Sequence, residues 1–300
     1  MNTKPLSQID LHFHAGLERQ KNKTLPDYLQ HACETGRRWQ GVTDHYELYF
    51  KPEVVAFDGE EDFHLYPLGQ AGMEALAAEL NNLRACFPEM HLFFAPEYFT
   101  IYRPNGEHIL PVQEAPGWLF ALADYVIFDS GLYLIDNPQA KTEQLIEAMT
   151  AASGLRERFG KPVYMAHPLR CLVSDENSWR APTPQIMALA EQAARTTEPA
   201  LLNQLFEADL SALARAAAAL GVPLEMNGMT QFRIRRAGPD FFQAYLAAYR
   251  LMAAEGARFV FGSDQHKISA LEKSAGWWQP AETIGEECLD QAFFAALNID

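Results

Sequence analysis

At 300 residues, with 48% hydrophobic and 21% charged side chains, the chain has the composition of a folded protein able to bury a sizeable core, which excludes disorder on a large scale. Its 24 Lys and Arg stand against 39 Asp and Glu, and a net charge of -15 repels a phosphate backbone, which excludes bulk nucleic-acid binding. The four cysteines, Cys33, Cys86, Cys171 and Cys288, are scattered without a Cys-x-x-Cys pair, and no apolar run approaches the roughly 20 residues of a membrane span. Reduced thiols, no membrane partner and a cytoplasmic location are the expectation.

In chain order, short apolar runs alternate with longer stretches of helical character. The candidate strands are residues 8–11, 40–43, 91–95, 125–128, 162–166, 223–226 and 258–261, and Ala-, Leu- and Glu-rich stretches such as 69–87 and 201–220 separate them. Regular alternation implies parallel strands joined by crossover helices, in a closed barrel or an open doubly wound sheet. An open sheet gathers its ligand site at one switch point, whereas here polar residues follow nearly every strand, which favours a single α/β barrel domain over residues 1–300. Two stretches read as long loops able to cover the barrel mouth: the acidic, aromatic 47–68 and 174–184 with Trp179, Arg180, Pro182 and Pro184.

The first strand runs into Asp10-Leu11-His12-Phe13-His14, and in extended backbone His12 and His14 point to the same side, where both imidazoles can meet one cation. Later strands are followed in turn by Thr43-Asp44-His45, by Glu97, by Ala166-His167-Pro168 and by Gly262-Ser263-Asp264-Gln265-His266. Neutral imidazole and carboxylate oxygen are the ligands of Zn, Mn and Fe hydrolases, and a shared carboxylate can bridge two ions about 3.5 Å apart. The bland alternative, satisfied core histidines and helix-capping aspartates, must be invoked at every strand end. For His31, His64, His91 and His108, which have no such placement, it is the better reading. After the sixth strand come Glu225-Met226-Asn227 and then Arg233, Arg235 and Arg236. Guanidinium groups there suit a small anionic, phosphorylated substrate, which makes Asn227 and the three arginines the expected substrate-binding residues.

Together these motifs, in this order over nearly the whole chain, resemble the polymerase and histidinol phosphatase (PHP) family of metal-dependent phosphoesterases, in particular its histidinol-phosphatase branch. The resemblance implies a distorted (β/α)7 barrel holding two or three divalent ions. His12, His14 and Asp264 would bind one, Glu97 would bridge to a second held by His167, and His45 with His266 would hold a third. A metal-bound hydroxide would attack a small phosphomonoester, with Asp264 or His266 assisting proton transfer. Two positions depart from the family pattern. Glu18, in Ala15-Gly16-Leu17-Glu18, stands where an acidic ligand usually lies in a Ser-Asp-Gly stretch, and it can substitute as a ligand. Tyr133, in the stretch from Asp129 to Asp136, stands where the branch places a metal-binding His. A neutral phenol, with its pKa of about 10, ligates poorly, so Asp129 from the same strand end is the carboxylate that could compensate. The competing readings are an amidohydrolase-type C–N or lactone hydrolase and a metal-binding barrel without catalysis. Trp277 and Trp278 leave the oligomeric state open, as interface or core residues.

Overall fold

The computed structural model describes residues 5–15, 23–46, 69–99, 101–102, 108–109, 112–130, 137–169, 174–175, 178–179, 182–266, 268 and 276–299. Glu18, Tyr133, His64, Cys171 and the stretch 47–68 lie outside them.

The apolar runs form strands because valine, isoleucine and aromatic side chains pack well on a pleated surface that is covered on both faces. In chain order the strands are β1 (Ile9–Asp10), β2 (Trp39–Val42), β3 (His45–Tyr46), β4 (His91–Phe94), β5 (Glu97–Phe99), β6 (Ile101–Tyr102), β7 (His108–Ile109), β8 (Val126–Asp129), β9 (Val163–Met165), β10 (Ser174–Asp175), β11 (Ser178–Trp179), β12 (Leu224–Asn227) and β13 (Phe259–Gly262). All seven expected strands are present, and every residue of β2, β8, β12 and β13 is buried. Two parallel sheets result, ordered β1-β2-β4 and β13-β12-β9-β8-β5-β3. Between β2 and β3, and between β4 and β5, the ladder continues through Ala95 N–H to Val42 O (3.0 Å) and Glu97 N–H to Asp44 O (2.9 Å). Isolated parallel bridges, Phe13 with Gln265 and His14 with Thr43, tie the segment after β1 to those after β13 and β2. The pairs β6–β7 and β10–β11 are antiparallel, so part of the loop expected at 174–184 is a small hairpin.

The helices are α1 (Leu25–Glu34), α2 (Gln70–Leu83), α3 (Gly117–Leu122), α4 (Pro138–Phe159), α5 (Pro184–Thr196), α6 (Pro199–Phe206), α7 (Leu210–Leu220), α8 (Gly228–Ala237), α9 (Pro239–Ala254), α10 (Gln279–Ile284) and α11 (Gln291–Ala296). Local chemistry sets their ends. Thr24 and Asp27 form a reciprocal capping box on α1, and Asn137 caps α4 ahead of Pro138. The apolar stretch 201–220 is not one helix: Glu207 turns left-handed at φ +46° and Asp209 caps a new start by accepting from Ala212 N–H. Among the described residues, no helix is long and apolar enough to cross a membrane.

Buried apolar side chains from Leu6 to Ile299 form the core. Trp277 belongs to it, donating its indole N–H to Ile9 O at 3.0 Å, and Trp278 packs against it. Tyr125, Tyr164 and Phe293 meet edge-on and stacked within the same core. Both tyrosine hydroxyls donate to Leu11 O, at 2.5 and 3.1 Å, which fixes the backbone just before His12. Burial raises both phenols well above the ordinary tyrosine range, so they are neutral donors.

Candidate metal centre

Three backbone hydrogen bonds hold the His-x-His segment between its neighbours: Asp264 N–H to His12 O (2.7 Å), His14 N–H to Gln265 O (2.9 Å) and Thr43 N–H to Phe13 O (2.9 Å). Alternation then sends Phe13 into the core and His12 and His14 to the opposite side. The adjoining strand has no room for a side chain at Gly262, where an added Cβ would collide with His12 Cβ and lie 2.6 Å from His12 N. Asp264 and His167 both adopt left-handed backbone, at φ +53° and +25°, a conformation that costs a non-glycine residue about 1 kcal/mol or more. Both side chains are thereby aimed at the same place.

At that place Nε2 of His12 and of His14 stand 3.1 Å apart. Glu97 Oε2 faces Nε2 of His45 (3.0 Å), His14 (3.3 Å) and His12 (3.4 Å), and Glu97 Oε1 lies 3.2 Å from His167 Nε2. Asp264 Oδ1 is 3.5 Å from His14 Nε2, 3.7 Å from His12 Nε2 and 3.8 Å from His266 Nδ1. The His14 ring lies against those of both His45 and His266, with centroids 4.5 and 3.9 Å away. Three overlapping groups have ligand atoms within 4.8 Å of one another: His12, His14 and Glu97; Glu97, Asp129 and His167; and His14, His45 and His266.

The donor chemistry fits divalent ions. Burial alone would depress the His12 imidazole, but Glu225, Glu97 and Asp264 outweigh it and raise His12 well above its ordinary range. Burial would likewise raise the Glu97 carboxyl, but His45 and His12 outweigh it and hold Glu97 well below the usual carboxylate range. Enclosed carboxylates thus recruit positive charge onto imidazoles, a role that dications fill more completely. Two further observations agree. The Nε2 atoms of His12 and His14 face each other closely enough to ligate one cation when the proton of each ring is on Nδ1, and buried Glu97 Oε2 makes no well-directed hydrogen bond although three imidazole nitrogens surround it.

Of the residues expected to bind metal, His12, His14, His45, Glu97, His167, Asp264 and His266 are brought together, and Glu18 lies outside the described residues. Asp129, raised as a substitute donor at the strand end, stands with Glu97 and His167, its Oδ2 4.0 Å from His167 Nε2. Asn227 is buried: its Nδ2 donates to Glu225 Oε2 (3.0 Å) and Asp264 Oδ2 (3.1 Å), and its Oδ1 caps α8 through Thr230 N–H. The basic segment after β12 is helix α8, on which Arg233 is half-buried while Arg235 and Arg236 are exposed. Arg235 donates to Gln279 and lies over Phe242, and Arg236 lies over Phe232. His31 sits within α1, and His91 opens β4 at the opposite end of the sheet, stacked on Trp39.

Sequence reasoning gave no role to two buried residues beside this cluster. Glu225 Oε1 accepts from His12 Nδ1 at 2.7 Å. Arg37 is wholly buried, with its Nε 3.5 Å from Asp10 Oδ2 and its guanidinium over Trp277, and Asp10 Oδ1 accepts from Ser263 N–H at 2.8 Å. No local pattern marks either pair, because each joins residues far apart in the chain.

The α/β fold with parallel sheets is shared with histidinol phosphatases of known structure. One is histidinol phosphate phosphatase from Lactococcus lactis, crystallised with zinc, L-histidinol and phosphate: identity is 18%, 94% of each chain is covered and the TM-score is 0.52. Another, a Listeria monocytogenes protein assigned as a histidinol phosphatase, is 13% identical over 91% of this chain and 98% of that one, with a TM-score of 0.54. No protein-family model matches the chain, and no curated protein matches it in sequence. At these identities the likeness is one of fold.

Proposed function

We propose that the chain is a metal-dependent phosphoesterase of the PHP family that hydrolyses a small phosphomonoester, in the manner of a histidinol phosphatase. The observation that carries this reading is the convergence of five imidazoles with Glu97, Asp129 and Asp264 at the C-terminal ends of the strands, in a fold shared with a zinc-containing phosphatase. The two sheets are read as one distorted barrel and one domain, joined through the bridges of Phe13 and His14, which would make that end its mouth.

His12, His14 and Glu97, with Asp264 beside them, would hold one ion; Glu97, Asp129 and His167 a second; and His45 with His266, packed against His14, a third. Divalent ions held there supply Lewis-acid chemistry, lowering the pKa of water and neutralising phosphoryl charge. The ligand types accept Zn, Mn or Fe. His45 and His266 are the cluster's more open side, with side chains 16% and 14% exposed, so substrate would approach past them. Asp264 or His266 would assist proton transfer on this side. Arg233, half-buried on α8, is the first choice to hold the anion, with Arg235 and Arg236 on the same helix, while buried Asn227 would act through the Glu225 and Asp264 side chains it holds.

The test is phosphate release from a panel of small phosphomonoesters by chelator-treated protein reloaded separately with Mn, Zn or Fe, beside His12→Ala. Metal-dependent release that is lost in the variant supports the reading. Absence of release with every metal overturns it in favour of the amidohydrolase or non-catalytic alternatives.

A further inference from the structure

Resting on the metal-centre reading above, we infer that Glu225 is a positioning residue that sets the tautomer of His12 and ties it to His167. The Glu225 side chain is wholly buried, and its two oxygens have separate duties. Oε1 accepts from His12 Nδ1 at 2.7 Å, whereas Oε2 accepts from His167 N–H at 2.9 Å and from Asn227 Nδ2 at 3.0 Å. Its backbone carbonyl is held as well, by the Tyr249 hydroxyl at 2.9 Å.

A neutral imidazole carries one proton. With Nδ1 donating to Glu225, the lone pair is left on Nε2, the atom that faces His14, Glu97 and Asp264. The Oε2 side cannot be rearranged. One of its donors is a backbone N–H, at a residue with φ +25°, and the other is an amide whose oxygen is fixed by Thr230 N–H at 2.9 Å. Whatever group replaces Oε2 must therefore accept. A single carboxylate thus joins the imidazole of one ligand group to the strained backbone of the next, His167 lying 58 positions before Glu225 in the chain.

This arrangement makes an isosteric substitution informative. In Glu225→Gln the amide oxygen must take the Oε2 position, since two donors meet there, which leaves the NH2 group facing His12 Nδ1. That nitrogen must then be unprotonated, and the proton moves to Nε2, where it blocks ligation. Glu225→Asp is a poorer fit in size but remains acceptor-only.

Zinc affinity of the full chain would be measured by chelator competition for the wild type, Glu225→Gln and Glu225→Asp, together with the 15N shifts of the His12 ring in the zinc-loaded proteins. The expected order is wild type, then Asp, then Gln, with Gln weakened about 10- to 100-fold and with wild-type His12 protonated at Nδ1 and bound through Nε2. A packing role predicts the reverse: Gln close to wild type, Asp weaker, and the His12 shifts unchanged in Gln. That result would overturn the inference while leaving the metal centre intact. A wild type that binds no zinc, manganese or iron would overturn both.

Discussion

The two ends of the parallel strands handle polar groups in opposite ways. At the amino ends, three partly or fully exposed cations donate to carbonyls beside them: Lys161 to Ala123 O at 2.7 Å, Arg156 to Leu220 O at 2.8 Å and to Gly221 O, and Arg84 to Leu92 O at 3.0 Å. A cleft of about 600 Å³ opens there, lined by Arg156, Lys161, Pro223 and Phe293, but both of its cations are already occupied by backbone. At the carboxyl ends, imidazole nitrogens and carboxylate oxygens crowd together at 3.0 to 3.8 Å, with three imidazoles facing the single oxygen Glu97 Oε2, and two backbone residues there are left-handed. Volume alone does not mark a site. The distinguishing feature is a set of imidazole and carboxylate groups close enough to share a ligand.

The sharpest way to break this contrast is Glu97→Gln, because Glu97 is common to two of the ligand groups. Phosphatase activity is expected to fall on the order of 10³-fold or more, with metal content lowered by elemental analysis; full retention of both would remove Glu97 from the centre. Removing the metal from the unaltered protein tests the same end thermodynamically. Chelation is expected to lower the unfolding midpoint, and restoring free ion to 1,000 times its Kd to return about 4 kcal/mol in a urea titration. A smaller effect is expected from Arg233→Ala, about tenfold in kcat/KM and mostly through KM, read from steady-state kinetics; an unchanged KM would shift the anion site to other residues. Smallest is Lys161→Met at the amino end, expected to cost about 1 kcal/mol of stability by denaturant midpoint and to leave kcat unchanged. A drop in kcat there would show that the two ends are coupled.

Much of the fold was legible because its signal is local. The seven main strands differ from the expected runs by a residue or two, since apolar runs between helical stretches report burial directly. The short β3 and β5, and the hairpin of β10 and β11, are stabilised by neighbours rather than by composition, so nothing in their own residues marks them. Within 201–220 the break was written in Asp209, an N-cap residue that uninterrupted apolar periodicity concealed. At the site, the position of each His and acid after a strand was enough to gather the cluster. The three arginines were less readable, because α8 advances about 100° per residue and fans them around its axis. Glu225 required knowing that β12 places it against a histidine 213 residues away.

Gly262 has a further consequence, for any attempt to vary this protein. Where most buried positions can be explored through a graded series from alanine upwards, here the smallest addition, a single methyl, already overlaps His12. The position behaves as a switch with two settings rather than as a dial. A saturation library selected for metal retention should return glycine alone at residue 262.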